Sequence, residues 1–126
     1  WVMFKDNHLT ALGIVEAVRS ARDRWPGRTV HVECDRIEQV VEALDAGADA
    51  LLLDNMAPDE VRAAVAVADE HAATHGTRRA LLEISGGITL DTVGSYADTG
   101  ADVVSSGSLT NSSPVLDIGL DIEVHR

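Results

Sequence analysis

The chain has 126 residues, the size of one ordinary domain, and 45% of them are hydrophobic against 25% charged, the balance of a globular protein. Twenty-one acids against ten Lys and Arg give a formal charge of −11, which argues against a nucleic-acid or anionic-membrane partner because nothing here would neutralise rows of phosphates. No apolar run approaches the ~20 residues of a membrane-spanning helix, and the lone Cys34 excludes an internal disulfide and sets the expectation of a cytoplasmic location.

The chain opens on Trp1 and moves at once into a strand-like run over 1–4, so it is expected to be a segment of a longer polypeptide. Next comes the only lysine, Lys5, followed by Asp6, Asn7 and His8, while nine arginines carry the rest of the positive charge. Ala11, Ile14, Val15 and Val18 then recur at helical spacing. A buried strand is predicted over 30–34, a helix with Ile37, Val40, Val41 and Leu44 on one face, a strand over 50–53, and a helix whose apolar stripe is Val61, Ala64, Val65 and Ala68. Pro58 with Asp59 and Glu60 marks that last helix's start, where a missing N–H is harmless and acids favour the dipole. A strand over 80–84, a shorter helix capped by Thr89 and running to about Ala97, and a strand over 102–105 complete the regular part.

Strand and helix alternate with no hairpin signal, which predicts parallel strands joined by crossover helices. The stretch "EALDAGADALLLDN" at 42–55 is echoed by "YADTGADVVSSGS" at 96–108: a helix end, a glycine, Ala-Asp, then a strand. That repeat favours a TIM-like α/β barrel over a doubly wound sheet. Five strands do not close such a barrel, so the fold class is an incomplete α/β barrel over 1–113, with a tail over 114–126.

Side chains alternate along a strand, so residues of equal parity share a face. His31 and Glu33 oppose Val30, Val32 and Cys34; Lys5 opposes Phe4, Asp54 opposes Leu53, and Glu83 with Ser85 opposes Leu82 and Ile84. The apolar sets are expected to meet the helices and Cys34 to pack in the core. The polar sets are then delivered towards the carboxyl ends of the strands, where such barrels keep their sites. Ser85-Gly86-Gly87 and Ser106-Gly107-Ser108 follow the last two strands and can offer backbone N–H groups to an anion, which predicts a phosphorylated ligand.

The motifs "FKDNH", "VECDRIEQ", "LLLDN", "EISGGIT" and "SSGSLTNSSPVLDIGLD", in this order and spacing, resemble the carboxyl-terminal barrel segment of the quinolinate phosphoribosyltransferase family. The resemblance covers nearly the whole chain. It implies transfer of phosphoribose from phosphoribosyl pyrophosphate to quinolinate with decarboxylation, giving nicotinate mononucleotide, pyrophosphate and carbon dioxide for NAD biosynthesis, with Mg2+ brought by the donor. By resemblance, Lys5 meets substrate anions, Glu33 and Asp54 lie by the ribose hydroxyls and the metal-bound donor, and the turns at Ser85, Gly86, Gly87 and at Ser106, Gly107, Ser108 hold the ribose phosphate. His8 and Asn111 are further candidates.

The family commonly has glutamate where His31 stands and histidine where Asn111 stands. Its arginines for the quinolinate carboxylates precede this segment, some acting across a dimer interface. The resemblance therefore implies a homodimer or higher oligomer, a piece that is inactive alone, and a tail that packs on an amino-terminal sandwich domain. Alternatives are a related phosphoribosyltransferase with another aromatic acceptor, and a non-catalytic phosphate-binding half-barrel that assembles with itself or a partner.

Overall fold

The computed structural model describes residues 1–124. A single sheet of five strands is built from β1 (Val2–Phe4), β2 (Val30–Cys34), β3 (Ala50–Asp54), β4 (Leu81–Ser85) and β5 (Val103–Val104). Every pairing is parallel, and the spatial order is the chain order. A doubly wound sheet reverses direction at a switch point, whereas a barrel adds each strand beside the last. The chain is thus an open segment of barrel-type sheet, as the Gly-Ala-Asp repeat predicts.

The connections are α1 (Asp6–Leu12), α2 (Ile14–Arg24), α3 (Ile37–Asp45), α4 (Pro58–His75) and α5 (Leu90–Val93), which passes into a 3-10 turn at Gly94–Tyr96; α6 (Ser108–Asn111) follows β5. Val30, Val32, Cys34, Leu51, Leu53, Leu82 and Ile84 form one core with Ile14, Val18 and Ala21 of α2, Val40 and Leu44 of α3, and Val61, Ala64 and Ala68 of α4. The predicted parity therefore holds, and Cys34 is fully buried.

Three details depart from the sequence reading. The first predicted helix is two, because Gly13 takes φ 74° between α1 and α2, a left-handed value that an L-residue adopts only at a cost. Ala11 is consequently exposed, and Val15 also points to solvent, leaving Ile14, Ala17, Val18 and Ala21 as the buried stripe. On α3, Val41 is exposed while Ala43 takes the buried place beside Val40 and Leu44. The last strand is two residues long, paired only with β4.

The repeat has a structural cause. Asp49 Oδ2 accepts the Val30 N–H at 2.7 Å, and its Oδ1 accepts from Arg22 at 2.8 Å. Asp102 does the same one repeat later: Oδ2 accepts the Leu82 N–H at 2.9 Å and Oδ1 accepts from Arg79 at 2.6 Å. Each aspartate thus satisfies an amide near the start of a neighbouring strand, while the preceding glycines, Gly47 and Gly100, both turn the chain at φ 87°. Residues 114–124 lie in no helix or strand and are exposed; 125–126, the end of the predicted tail, lie outside the described residues.

Candidate functional site

Lys5 directly follows β1 and immediately precedes α1. Its ammonium lies 3.2 Å from Glu33 Oε1, and the Asp6 N–H donates to Glu33 Oε2 at 2.7 Å. One carboxylate thereby takes a side-chain cation and an amide of the first turn of a helix, two partners that fix its position. Glu33 is nearly buried and Lys5 half exposed. Glu33 and Asp54 line one hollow of about 370 Å³, together with Asp6, Asp35, Arg36 and Gln39.

Asp54 closes β3 and is in register with Ser85, the first residue of the double-glycine turn. One of its oxygens, Oδ2, accepts from Asn55 Nδ2 at 2.5 Å. Asn55 itself has φ 56°, and its N–H donates to the Ser85 carbonyl at 3.0 Å. Gly86 sits against it so closely that a Cβ would collide with Asn55 Oδ1. Sequence reasoning passed over Asn55 as a working residue; the one signal available is that asparagine tolerates the left-handed region better than most L-residues.

The two predicted anion turns do meet. Ser85, Gly86, Gly87, Ser106, Gly107 and Ser108 line a single cavity of about 740 Å³, and Asn111 lines it as well. Gly86 and Gly87 have φ 84° and 61°, a run of left-handed residues that turns the chain sharply after β4. Ser106 donates to the Ile88 carbonyl, and the Ser106 and Ser108 hydroxyls share a hydrogen bond at 2.7 Å, so the second turn is tied to the first. Asn111 accepts the Ser112 hydroxyl on Oδ1 at 2.8 Å, leaving its Nδ2 as a donor near Gly107.

Two expectations take a different form. The carboxylates and the glycine turns occupy two neighbouring hollows rather than one, with the Asn55–Gly86 contact and the Asp54–Ser85 register linking them. His8 lines neither; its ring packs edge-on to Phe4 at 6.2 Å. Among the described residues no group of three or more His, Cys, Asp or Glu is placed to hold a metal ion, and no helix is long and apolar enough to cross a membrane.

On the same sheet face, His31 is fully buried, and among the described residues neither ring nitrogen makes a hydrogen bond of ordinary geometry. Burial holds its pKa below the ordinary histidine value, outweighing the opposite pull of Glu83, the Leu51 backbone and Glu33.

A family model described as quinolinate phosphoribosyl transferase, C-terminal domain, matches residues 1–121. The nicotinate-nucleotide pyrophosphorylase (carboxylating) of Homo sapiens is 41% identical over 123 residues, which are 96% of this chain and 40% of that protein. A probable nicotinate-nucleotide pyrophosphorylase (carboxylating) of Methanocaldococcus jannaschii is 36% identical over 122 residues, 96% of this chain and 43% of the other. The crystal structure of nicotinate-nucleotide pyrophosphorylase from Ehrlichia chaffeensis superposes with a TM-score of 0.84 at 38% identity, covering 97% of this chain and 42% of that one. The chain thus spans 40% to 43% of the length of these relatives.

Proposed function

The chain belongs to the quinolinate phosphoribosyl transferase C-terminal domain family, and on that premise we propose that it carries the phosphoribosyl-binding part of a longer enzyme that makes nicotinate mononucleotide. In this reading phosphoribosyl pyrophosphate and quinolinate react with loss of pyrophosphate and carbon dioxide. The observation that carries it is the cavity shared by two glycine turns from successive strand ends, set beside Asp54 by the Asp54–Ser85 register.

The ribose 5-phosphate would sit in that cavity, taking N–H groups from Gly86, Gly87, Gly107 and Ser108 and the Asn111 amide. Breaking the bond from ribose C1 to pyrophosphate builds positive charge on the sugar, which Asp54 and Glu33 are suited to stabilise without forming a covalent bond. Lys5 holds Glu33 in place and offers a fixed cation to a substrate carboxylate or phosphate. Mg2+ arriving with the donor supplies positive charge to the departing pyrophosphate. Asp54 Oδ1, which has no hydrogen bond among the described residues, and Glu33 form the one-or-two-carboxylate set that this ion ordinarily uses beside substrate phosphates.

A formal charge of −11 is unsuited to holding two polyanions alone, so the reading includes a basic complement from elsewhere in a homodimeric or larger cytoplasmic enzyme. The test is turnover of the full-length protein: Asp54→Ala should lower it on the order of 10²-fold, the usual size of such an electrostatic contribution. A wild-type rate would refute the assignment.

A further inference from the structure

Between the two hollows stands Asn55, which lines neither and so touches no part of the substrate as placed above. Among the described residues it is the only non-glycine with a positive φ, at 56°. That conformation costs an L-residue energy, less for asparagine than for most, and persists where neighbours hold it from several sides. Here they do. The Asn55 N–H donates to the Ser85 carbonyl at 3.0 Å, and the next carbonyl, that of Met56, accepts the Tyr96 hydroxyl at 3.1 Å.

Successive residues of a strand point to opposite faces, so an extended Asn55 would turn its amide away from Asp54. The left-handed φ brings it round instead, and Nδ2 donates to Asp54 Oδ2 at 2.5 Å. The other end of the same amide, Oδ1, rests against Gly86, where a Cβ would have no room. One planar amide thus spans from a carboxylate of the first hollow to the glycine turn of the second. Glycine takes positive φ most freely and would serve the turn alone, yet it would leave Asp54 unheld. The hydrogen bond is open to water and contributes only modestly to stability, so its value lies in placement.

We propose that Asn55 is a positioning residue: its amide holds the Asp54 carboxylate at a fixed offset from the Gly86 turn, so that the group stabilising charge on the sugar keeps its place relative to the group holding the sugar's phosphate. The proposal rests on the function given above and adds to it what relates its two hollows. Asn55 acts only through Asp54, and that dependence is measurable in a double-mutant cycle.

Steady-state kinetics of the full-length enzyme test this with Asn55→Gly, which keeps the backbone conformation and removes the amide. Turnover should fall on the order of tenfold, part of the ~10²-fold that misplacing a reacting group can cost. KM for phosphoribosyl pyrophosphate should stay unchanged, the mark of an interaction realised only in the transition state. In an Asp54→Ala background the same substitution should cause no further loss, because the carboxylate it acts through is gone. Should Asn55→Gly fail to fold, Asn55→Asp takes its place: aspartate tolerates the left-handed region and has the same shape, but its carboxylate offers no donor to Asp54. It should give the same fall, and again none in the Asp54→Ala background. Wild-type turnover in the Asn55 variant while Asp54→Ala is impaired, a raised KM at unchanged turnover, or losses that multiply in the double variant overturns this proposal alone. A wild-type rate in Asp54→Ala overturns the function it rests on.

Discussion

Lys5 Nζ lies 3.2 Å from Glu33 Oε1, joining the end of β1 to the adjacent strand at its carboxyl end. The pair is asymmetric, since Lys5 is half exposed and Glu33 nearly buried. Removing the lysine should therefore cost little stability, within about 1 kcal/mol for an ion pair open to water. Turnover of the full-length enzyme should nonetheless fall on the order of 10²-fold in Lys5→Ala. Urea unfolding beside steady-state kinetics separates the two, and an equal loss in both would mark Lys5 as merely structural.

Glu33→Ala removes the acceptor of the Asp6 N–H as well as the partner of Lys5. It should destabilise the chain by about 1.5–3 kcal/mol, the range for a hydrogen bond to a charged group. The check is the urea midpoint at unchanged slope, with Asp6 amide exchange accelerated.

Gly86 and Gly87 both have positive φ, yet only Gly86 has a neighbour in the way of a Cβ. Gly87→Ala should cost about 1–2 kcal/mol, the penalty of an L-residue in the left-handed region. Gly86→Ala adds a collision with the Asn55 side chain and backbone and should cost clearly more, with loss of anion binding. Thermal unfolding of both variants decides it, and equal shifts would show that the Asn55 contact does not matter.

Asp49→Ala and Asp102→Ala each remove the carboxylate that caps a neighbouring strand's amide. Each should cost about 1–3 kcal/mol. Hydrogen exchange should rise at Val30 in the first variant and at Leu82 in the second, each leaving the other amide protected.

Burial, helped by Asp35, Glu33 and Glu42, pushes the Cys34 thiol up to about 12 from 9.0. A group whose folded value is raised contributes stability that is present below 9.0 and lost as pH rises towards about 12, because the unfolded thiol releases its proton first. Native protein at pH 8 should not react with a disulfide reagent, and thiol titration should match the unfolded fraction in urea. Prompt labelling in the absence of urea would contradict the buried placement.

The sheet was legible because its information is local. Buried runs such as 50–53 and the alternation of His31 and Glu33 with Val30, Val32 and Cys34 are properties of short stretches. The Gly-Ala-Asp repeat gave the barrel-type order because each copy solves the same local problem, an amide near a strand start. The break at Gly13 escaped since apolar residues keep helical spacing across it, and periodicity does not see a single φ.

At the site, the two glycine turns were readable as turns from composition. Their sharing of one cavity depends on β4 and β5 being neighbours, a matter of topology. The Asn55–Gly86 contact was illegible because residues far apart in sequence make it.

On the proposed function, the glycine turns beside Asp54 bind a phosphoribosyl group. The most direct measurement is a titration of the full chain with phosphoribosyl pyrophosphate and Mg2+, followed by backbone amide shifts. Saturable shifts are expected, concentrated at Gly86, Gly87, Gly107 and Ser108, extending to Asp54 and weakened by Gly86→Ala. Shifts confined to the opposite ends of the strands, or none at millimolar ligand, would contradict it.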